Sequence, residues 1–321
     1  MNSLSDPSTN ILRHPDRLAA FKNGIAYPLS AEIDLTWRCS LACPGCHSMH
    51  LHQNLEMSEG DIYRVLTQLR KHGCQTVTFS GGGDPFESPH WRYAVNLAKD
   101  LGFDVAAYSW LPGLNQEMVA FIEMKKIAFI YSHSNNSKGL RHSLSSKTVW
   151  TYGWLLDSLN WMKVPEMVKK TNLDFWNFVD FRPLAPENKQ NPSNLDYSWI
   201  PDAMRLLTSA QSQNKQVKWA SYKFESLIRP DGGRDYHSCL STHFTTVIGP
   251  DGKMWECVNR RGFEDSMLGN LLQEDLESIW TRKPKSREDM SLCRIICRNN
   301  SLNQTLYHRV FGPEPQHASF I

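Results

Sequence analysis

The sequence predicts an α/β fold: a partial (β/α)6 barrel, open and TIM-like, followed by a smaller C-terminal unit of β-hairpin plus helix. Three observations lead there. Strand-like and helical runs alternate from residue 31 to about 222, the pattern of a parallel sheet with helical crossovers. Six such units are too few to close an eight-stranded barrel. After residue 223 two strand-like runs flank Gly249-Pro250-Asp251-Gly252, a turn sequence, and a short helical run follows. The expected divisions are an arm over 1–30, the barrel over 31–222 and the tail unit over 223–321. Arg229-Pro230-Asp231-Gly232-Gly233 interrupts regular structure near the second boundary.

Residues 32–37 read as the first strand. Ser58 has the character of an N-cap, and Ile62, Val65, Leu66 and Leu69 then fall at i, i+3, i+4 and i+7, one face of a helix. Residues 75–80 form the second strand. The next helix starts near Ser88-Pro89, where proline suits the first turn, and ends at Gly102. Residues 103–108 are the third strand, 115–125 the third helix and 127–132 the fourth strand. A longer helix is expected from Ser146, with Trp150, Trp154 and Trp161 on one face at i, i+4 and i+11 as a core stripe. Residues 177–182 then give a fifth strand, 199–214 a helix and 216–222 a sixth strand. In the tail, 244–248 and 253–258 form the hairpin and 274–280 the short helix.

Composition limits the function classes. The chain has 321 residues, 40% of them apolar, enough for a sizeable core. A formal net charge of +2 without a long basic run argues against a nucleic-acid partner. No stretch has the apolar length of a membrane span, and the first residues lack a secretory pattern. Eight cysteines in such a chain point to metal or redox chemistry rather than disulfides, in a cytoplasmic protein.

Cys39, Cys43 and Cys46 follow the first strand in the spacing C-x3-C-x2-C. Three thiolates on one loop can hold three irons of a cubane and leave the fourth open; a structural zinc loop is the alternative. After the second strand comes Ser80-Gly81-Gly82-Gly83-Asp84-Pro85, glycines at the strand end where α/β folds place their sites. The two motifs, in this order and at this distance, resemble the radical S-adenosylmethionine (radical SAM) superfamily. The resemblance implies that S-adenosyl-L-methionine binds the open iron of a [4Fe–4S] cluster. Gly82, Gly83, Asp84 and Pro85 would stand for the "GGEP" motif, whose backbone binds the methionine amino group, with Asp84 replacing glutamate. It also implies that Ser132, His133 and Ser134 after the fourth strand, and Arg182 at the fifth, lie where relatives contact ribose and carboxylate. A loop histidine and a salt-bridge arginine are the plain readings of His133 and Arg182. Two departures are Gly45, where an aromatic residue often precedes the third cysteine, and the lack of a clear adenine-contact motif on the fifth strand.

Cys239, Cys257, Cys293 and Cys297 lie in the tail. Twelve residues separate Cys239 from Gly252 and four separate Gly252 from Cys257, which resembles the opening signature of SPASM and twitch auxiliary-cluster domains. With Cys293 and Cys297, the tail resembles a truncated Fe–S domain holding one auxiliary [4Fe–4S] cluster; zinc on the same thiols is the alternative. Cys74 is left over and is expected to be a buried structural residue. Trp110, Leu111 and Pro112 are expected at a substrate wall.

The resemblance implies a 5′-deoxyadenosyl radical that abstracts hydrogen from substrate, with a flavodoxin- or ferredoxin-type reductant. The expected reaction is oxidation of a small molecule of amino-sugar or cyclitol type, with an electron returned to the auxiliary cluster. Oxidative cross-linking or epimerisation of a peptide, and a non-catalytic zinc or Fe–S module, are the alternatives. The residues name no substrate, catalytic base or hydrogen donor.

Overall fold

The computed structural model describes residues 7–24, 26–41, 43, 46–143, 146–184, 196–283, 287–291 and 293–312. Gly45 lies outside them. Their strands form one open ten-stranded sheet. β1 (Ser30–Asp34), β2 (Thr76–Ser80), β3 (Asp104–Tyr108), β4 (Phe129–Ser132), β5 (Val149–Leu156), β6 (Phe178–Pro183) and β7 (Val217–Trp219) lie side by side in chain order, each parallel to the next. The tail adds β8 (Thr245–Ile248), β9 (Lys253–Trp255) and β10 (Met267–Asn270). β8 pairs parallel with β1, and β9 and β10 follow antiparallel, so the hairpin continues the barrel sheet beyond its first strand.

The helices are α1 (Pro15–Lys22), α2 (Glu59–Lys71), α3 (Trp91–Asp100), α4 (Gln116–Met124), α5 (Val164–Lys170), α6 (Ile200–Gln213), α7 (Ser221–Ile228), α8 (Leu276–Arg282) and α9 (Asn300–Thr305). Ser58 caps α2 in a reciprocal box with Asp61, and Ile62, Val65, Leu66 and Leu69 are all buried, as their spacing requires. Asn115 caps α4 through the Met118 amide.

One element is of a different type from the sequence reading, and α1, α9 and β10 were not read at all. The expected helix from Ser146 is strand β5. Trp150, Tyr152 and Trp154 stand at alternate positions and pack as aromatic neighbours with Trp176 and one another, while Trp161 falls in a separate 3-10 turn. The i, i+4 spacing of two tryptophans fits either period. The β-branched and aromatic run Val149-Trp150-Thr151-Tyr152 decides for the strand. The parallel run therefore holds seven strands, and the strand expected as the fifth is β6. α7 was not anticipated.

Alternation divides the sheet into two faces. Ala31, Ile33, Val77, Phe79, Val105, Ile130, Val179 and Phe181 pack in the main core beneath the helices. Glu32, Asp34, Ser80, Tyr108, Tyr131, Asp180 and Arg182 occupy the other face, so the concave interior is polar and charged. The arm reaches the tail instead: Ile11 and Ala26 share a small core with Phe244, Leu302 and Leu306.

Candidate active site

The glycine loop after β2 is docked on the cysteine-bearing loop after β1. The Gly83 amide donates to the Thr36 carbonyl (3.2 Å) and the Asp84 amide to the Arg38 carbonyl (3.0 Å). The Gly82 amide donates to Asp34 Oδ2 (2.8 Å), which also accepts from Trp37 Nε1 (3.0 Å). A Cβ on Gly82 would stand 2.1 Å from the Trp37 ring, and one on Gly83 2.2 Å from the Arg38 oxygen. Close approach, not an unusual φ, fixes these glycines. With all three amides engaged, the loop has carbonyl oxygens left to offer, and carbonyls suit an ammonium donor.

Asp84 is tied into the scaffold. Its oxygens accept from the Phe86 amide (2.9 Å), Ser109 Oγ (2.8 Å) and the Trp110 amide (2.8 Å), joining the ends of β2 and β3. Burial nevertheless pushes its carboxyl up to about 6. Glu87 accepts from the Ser40 amide and hydroxyl (2.8 and 2.7 Å) and from Trp110 Nε1 (3.1 Å). Burial would raise Glu87, but these hydrogen bonds and the Arg38 charge outweigh it and hold it below its usual range. Trp110 thus braces the cysteine loop. Leu111 is fully buried with a left-handed backbone (φ 60°), so it is core rather than wall.

Cys39, Cys43 and Cys46 face one another closely enough that Cys46 raises Cys43 and Cys43 raises Cys39. Burial is the larger cause in both, and takes Cys39 up to about 11. The tail thiols gather in the same way. Burial first, then Cys297, Cys239 and Cys293, raise Cys257; burial, Cys239 and Cys293 take Cys297 up to about 12. Cys239 Sγ accepts from Asn303 Nδ2 and Cys257 Sγ from the Asn259 amide, both at 3.4 Å. Among the described residues no three of His, Cys, Asp or Glu converge on a single-ion site. Mutually repelling, partly buried thiols with N–H donors aimed at sulfur are nonetheless a donor set that a cationic iron–sulfur centre would satisfy.

Deeper in the concave face, Tyr131 donates to Asp180 Oδ2 (3.1 Å), Arg182 Nε donates to the same oxygen (2.7 Å), and the guanidinium lies 3.9 Å from the Tyr131 ring centre. Burial opposes the Arg182 charge, but Tyr131 and Asp180 raise it further. The carbonyl of Gly153 can only accept, so His133 Nδ1 carries a proton towards it (2.9 Å) and leaves Nε2 as an acceptor. His133 is exposed, so solvent weakens the downward pull that burial and the Arg182 charge exert on its ring. Ser132 is buried and turned onto Ser134: its Oγ accepts the Ser134 amide (3.0 Å) and donates to the Ser134 carbonyl (3.2 Å). It is a turn residue here. Lys223, on the first turn of α7, faces this group; burial and the Arg182 charge bring it down to about 7.

Sequence reasoning missed Glu32, Asp34, Lys223, Arg261, Arg298 and Asn303. Glu32 and Asp34 were visible only as polar interruptions of the first strand. They meet Arg261 and Arg298 from the far end of the chain, and no local pattern signals such a pairing. Cys74 lies where expected, ahead of β2 and fully buried, its Sγ 3.5 Å from the Leu29 and Thr76 carbonyls, and burial pushes it up to about 12.

No protein-family model matches the chain. In three dimensions it is similar to Streptococcus suis SuiB solved with the precursor peptide SuiA. The TM-score is 0.63 at 15% identity, over 88% of this chain and 72% of that one. It is also similar to anSMEcpe with bound AdoMet (0.59, 14%, over 88% and 98%) and to the same protein with AdoMet and the Kp18Cys peptide (0.58, 12%, over 88% and 98%). Likeness at these identities shows the shared fold: an open, mainly parallel α/β sheet.

Proposed function

We propose that this chain is a radical SAM enzyme, which binds S-adenosylmethionine at the mouth of the barrel and carries an auxiliary cluster in its tail. The observation that supports this reading is the docking of the Gly82, Gly83 and Asp84 amides onto Asp34, Thr36 and Arg38, the segment that leads into Cys39, Cys43 and Cys46. Cys39, Cys43 and Cys46 would hold the first [4Fe–4S] cluster, and Cys239, Cys257, Cys293 and Cys297 the second. When bound, the first cluster and cofactor together supply a 5′-deoxyadenosyl radical that removes hydrogen from an unactivated carbon.

The chain's own residues set the rest. The carbonyls of the glycine loop accept the methionine ammonium, and Asp34 and Asp84 hold that loop in place. His133 offers Nε2 as an acceptor to a ribose hydroxyl, and Arg182 offers its outer N–H groups to a carboxylate. Pro85 starts a 3-10 turn that keeps Phe86 buried under the loop. A low-potential electron must come from a flavodoxin- or ferredoxin-type partner. An auxiliary centre closed by four thiolates has no open position for substrate, so electron acceptance in an oxidation is its simplest role.

The substrate reading is twofold. Oxidation of an amino-sugar or cyclitol fits a truncated tail. A peptide substrate is supported by the complexes of SuiB and anSMEcpe, whose folds this chain shares. Anaerobic reconstitution, reduction with dithionite and addition of S-adenosylmethionine test the reading: 5′-deoxyadenosine should form. Its absence from iron-loaded, reduced protein rejects it.

A further inference from the structure

The tail and the glycine loop meet at one buried carboxylate. Arg261 stands four residues after Cys257, and its side chain, 2% exposed, runs into the barrel mouth. Its Nη2 donates to Glu32 Oε2 (3.1 Å) and Ser80 Oγ (3.3 Å), and its Nε lies 3.3 Å from Asp34 Oδ2. Asp34 is fully buried. The same Oδ2 accepts the Gly82 amide and Trp37 Nε1, and Trp37 stands two residues before Cys39. Arg298, next to Cys297, also enters the mouth, pairing with Glu32 and lying over the Tyr108 ring at 5.2 Å. Glu32 therefore receives both tail arginines. Among the described residues, only Arg261 brings a cation to Asp34.

We propose that Arg261 is a positioning residue for S-adenosylmethionine. Through Asp34 it fixes the Gly82 amide and Trp37 together, so the cofactor site in the barrel depends on the tail loop that bears Cys257. The inference rests on the functional reading above. Burial pushes the Asp34 carboxyl up and the Arg261 charge opposes that rise, so removing the cation takes away the charge that most favours the carboxylate and leaves it buried without compensation. The consequence falls on the two groups that Asp34 holds, the glycine loop and the ring against which Gly82 is packed. Glu32 reaches neither Gly82 nor Trp37: it accepts from Ser80 Oγ (2.7 Å) at the end of β2 and pairs with the two tail arginines.

The test uses the full chain, reconstituted anaerobically, with S-adenosylmethionine affinity read by equilibrium dialysis and iron content measured alongside. Arg261→Met should weaken binding by about tenfold or more, the effect of losing one charge-assisted contact, without loss of iron. Arg261→Lys, which keeps a cation beside Asp34, should recover most of that loss. Glu32→Gln should change affinity by less than about threefold, because Asp34 keeps its partners. Wild-type affinity in Arg261→Met overturns the proposal. So does a loss in Glu32→Gln equal to that in Arg261→Met, which would mean that the arginines merely latch the tail. If Arg261→Met fails to retain iron, Asp34→Asn/Arg261→Met removes the unpaired charge and carries the test. Recovered iron with affinity within about threefold of wild type supports the proposal there, because the amide oxygen at position 34 still accepts from Gly82 and Trp37; a double variant as defective as Arg261→Met overturns it. Wild-type protein that binds no S-adenosylmethionine instead refutes the functional reading itself.

Discussion

Asp84→Asn tests the buried carboxyl that joins the ends of β2 and β3. Asp84 is 4% exposed, and burial holds its carboxyl at about 6 against an ordinary value of 3.8. Between those values the folded chain keeps a proton that the unfolded chain has lost. Stability therefore falls as pH rises through this window, and the stabilising contribution belongs to the acid side. The full effect is about 3 kcal/mol, from roughly two pH units at about 1.4 kcal/mol each. Asparagine cannot ionise. Its amide NH2 must also face one of the donors that Asp84 accepts, the Phe86 or Trp110 amide, which costs about 1–3 kcal/mol at any pH. Urea unfolding of the metal-free chain should thus show the variant less stable near pH 4, with the gap narrowing by up to about 3 kcal/mol towards pH 7. A gap that is constant or widens with pH would refute the reasoning.

Further outcomes concern the thiols and the glycine loop. Changing Cys39, Cys43 and Cys46 to alanine should remove about half of roughly eight irons and all cofactor cleavage, as iron analysis and product chromatography would report. Cys257→Ala or Cys293→Ala should still give 5′-deoxyadenosine with dithionite but lose substrate turnover; full product formation would leave the tail site without a redox role. Gly82→Ala drives a Cβ into the Trp37 ring, and should abolish S-adenosylmethionine binding in a dialysis assay while the three thiols still take up iron. Cys74→Ala should cost about 1–2 kcal/mol in urea unfolding and leave cofactor binding intact, since Cys74 is buried at the far end of β2.

What the sequence disclosed follows the range of the interactions concerned. α2 was legible because its apolar spacing and its cap lie within one short segment. The two motif loops were legible because chemistry that needs gathered thiols or close backbone approach leaves them adjacent in the chain. β5 was misread because two tryptophans four apart satisfy both periods. The pairing of β8 with β1, and of Arg261 with Glu32 across 229 positions, depends on the tail returning to the β1 edge of the parallel run, and periodicity carries no such information. Asp84 was read through its place in the glycine motif, and its bracing side chain was not foreseen. Ser132 looked like a ribose contact and is turned onto Ser134. Asp84 meets Ser109 and Trp110 across 25 and 26 positions, which only the fold brings near, whereas the Ser132–Ser134 turn is local.

The central claim is tested most directly by one measurement: chromatography of anaerobically reconstituted, dithionite-reduced protein after incubation with S-adenosylmethionine. The account predicts 5′-deoxyadenosine and methionine, formed by protein holding about eight irons. Colourless protein carrying zinc on these thiols, with S-adenosylmethionine recovered intact, would contradict it.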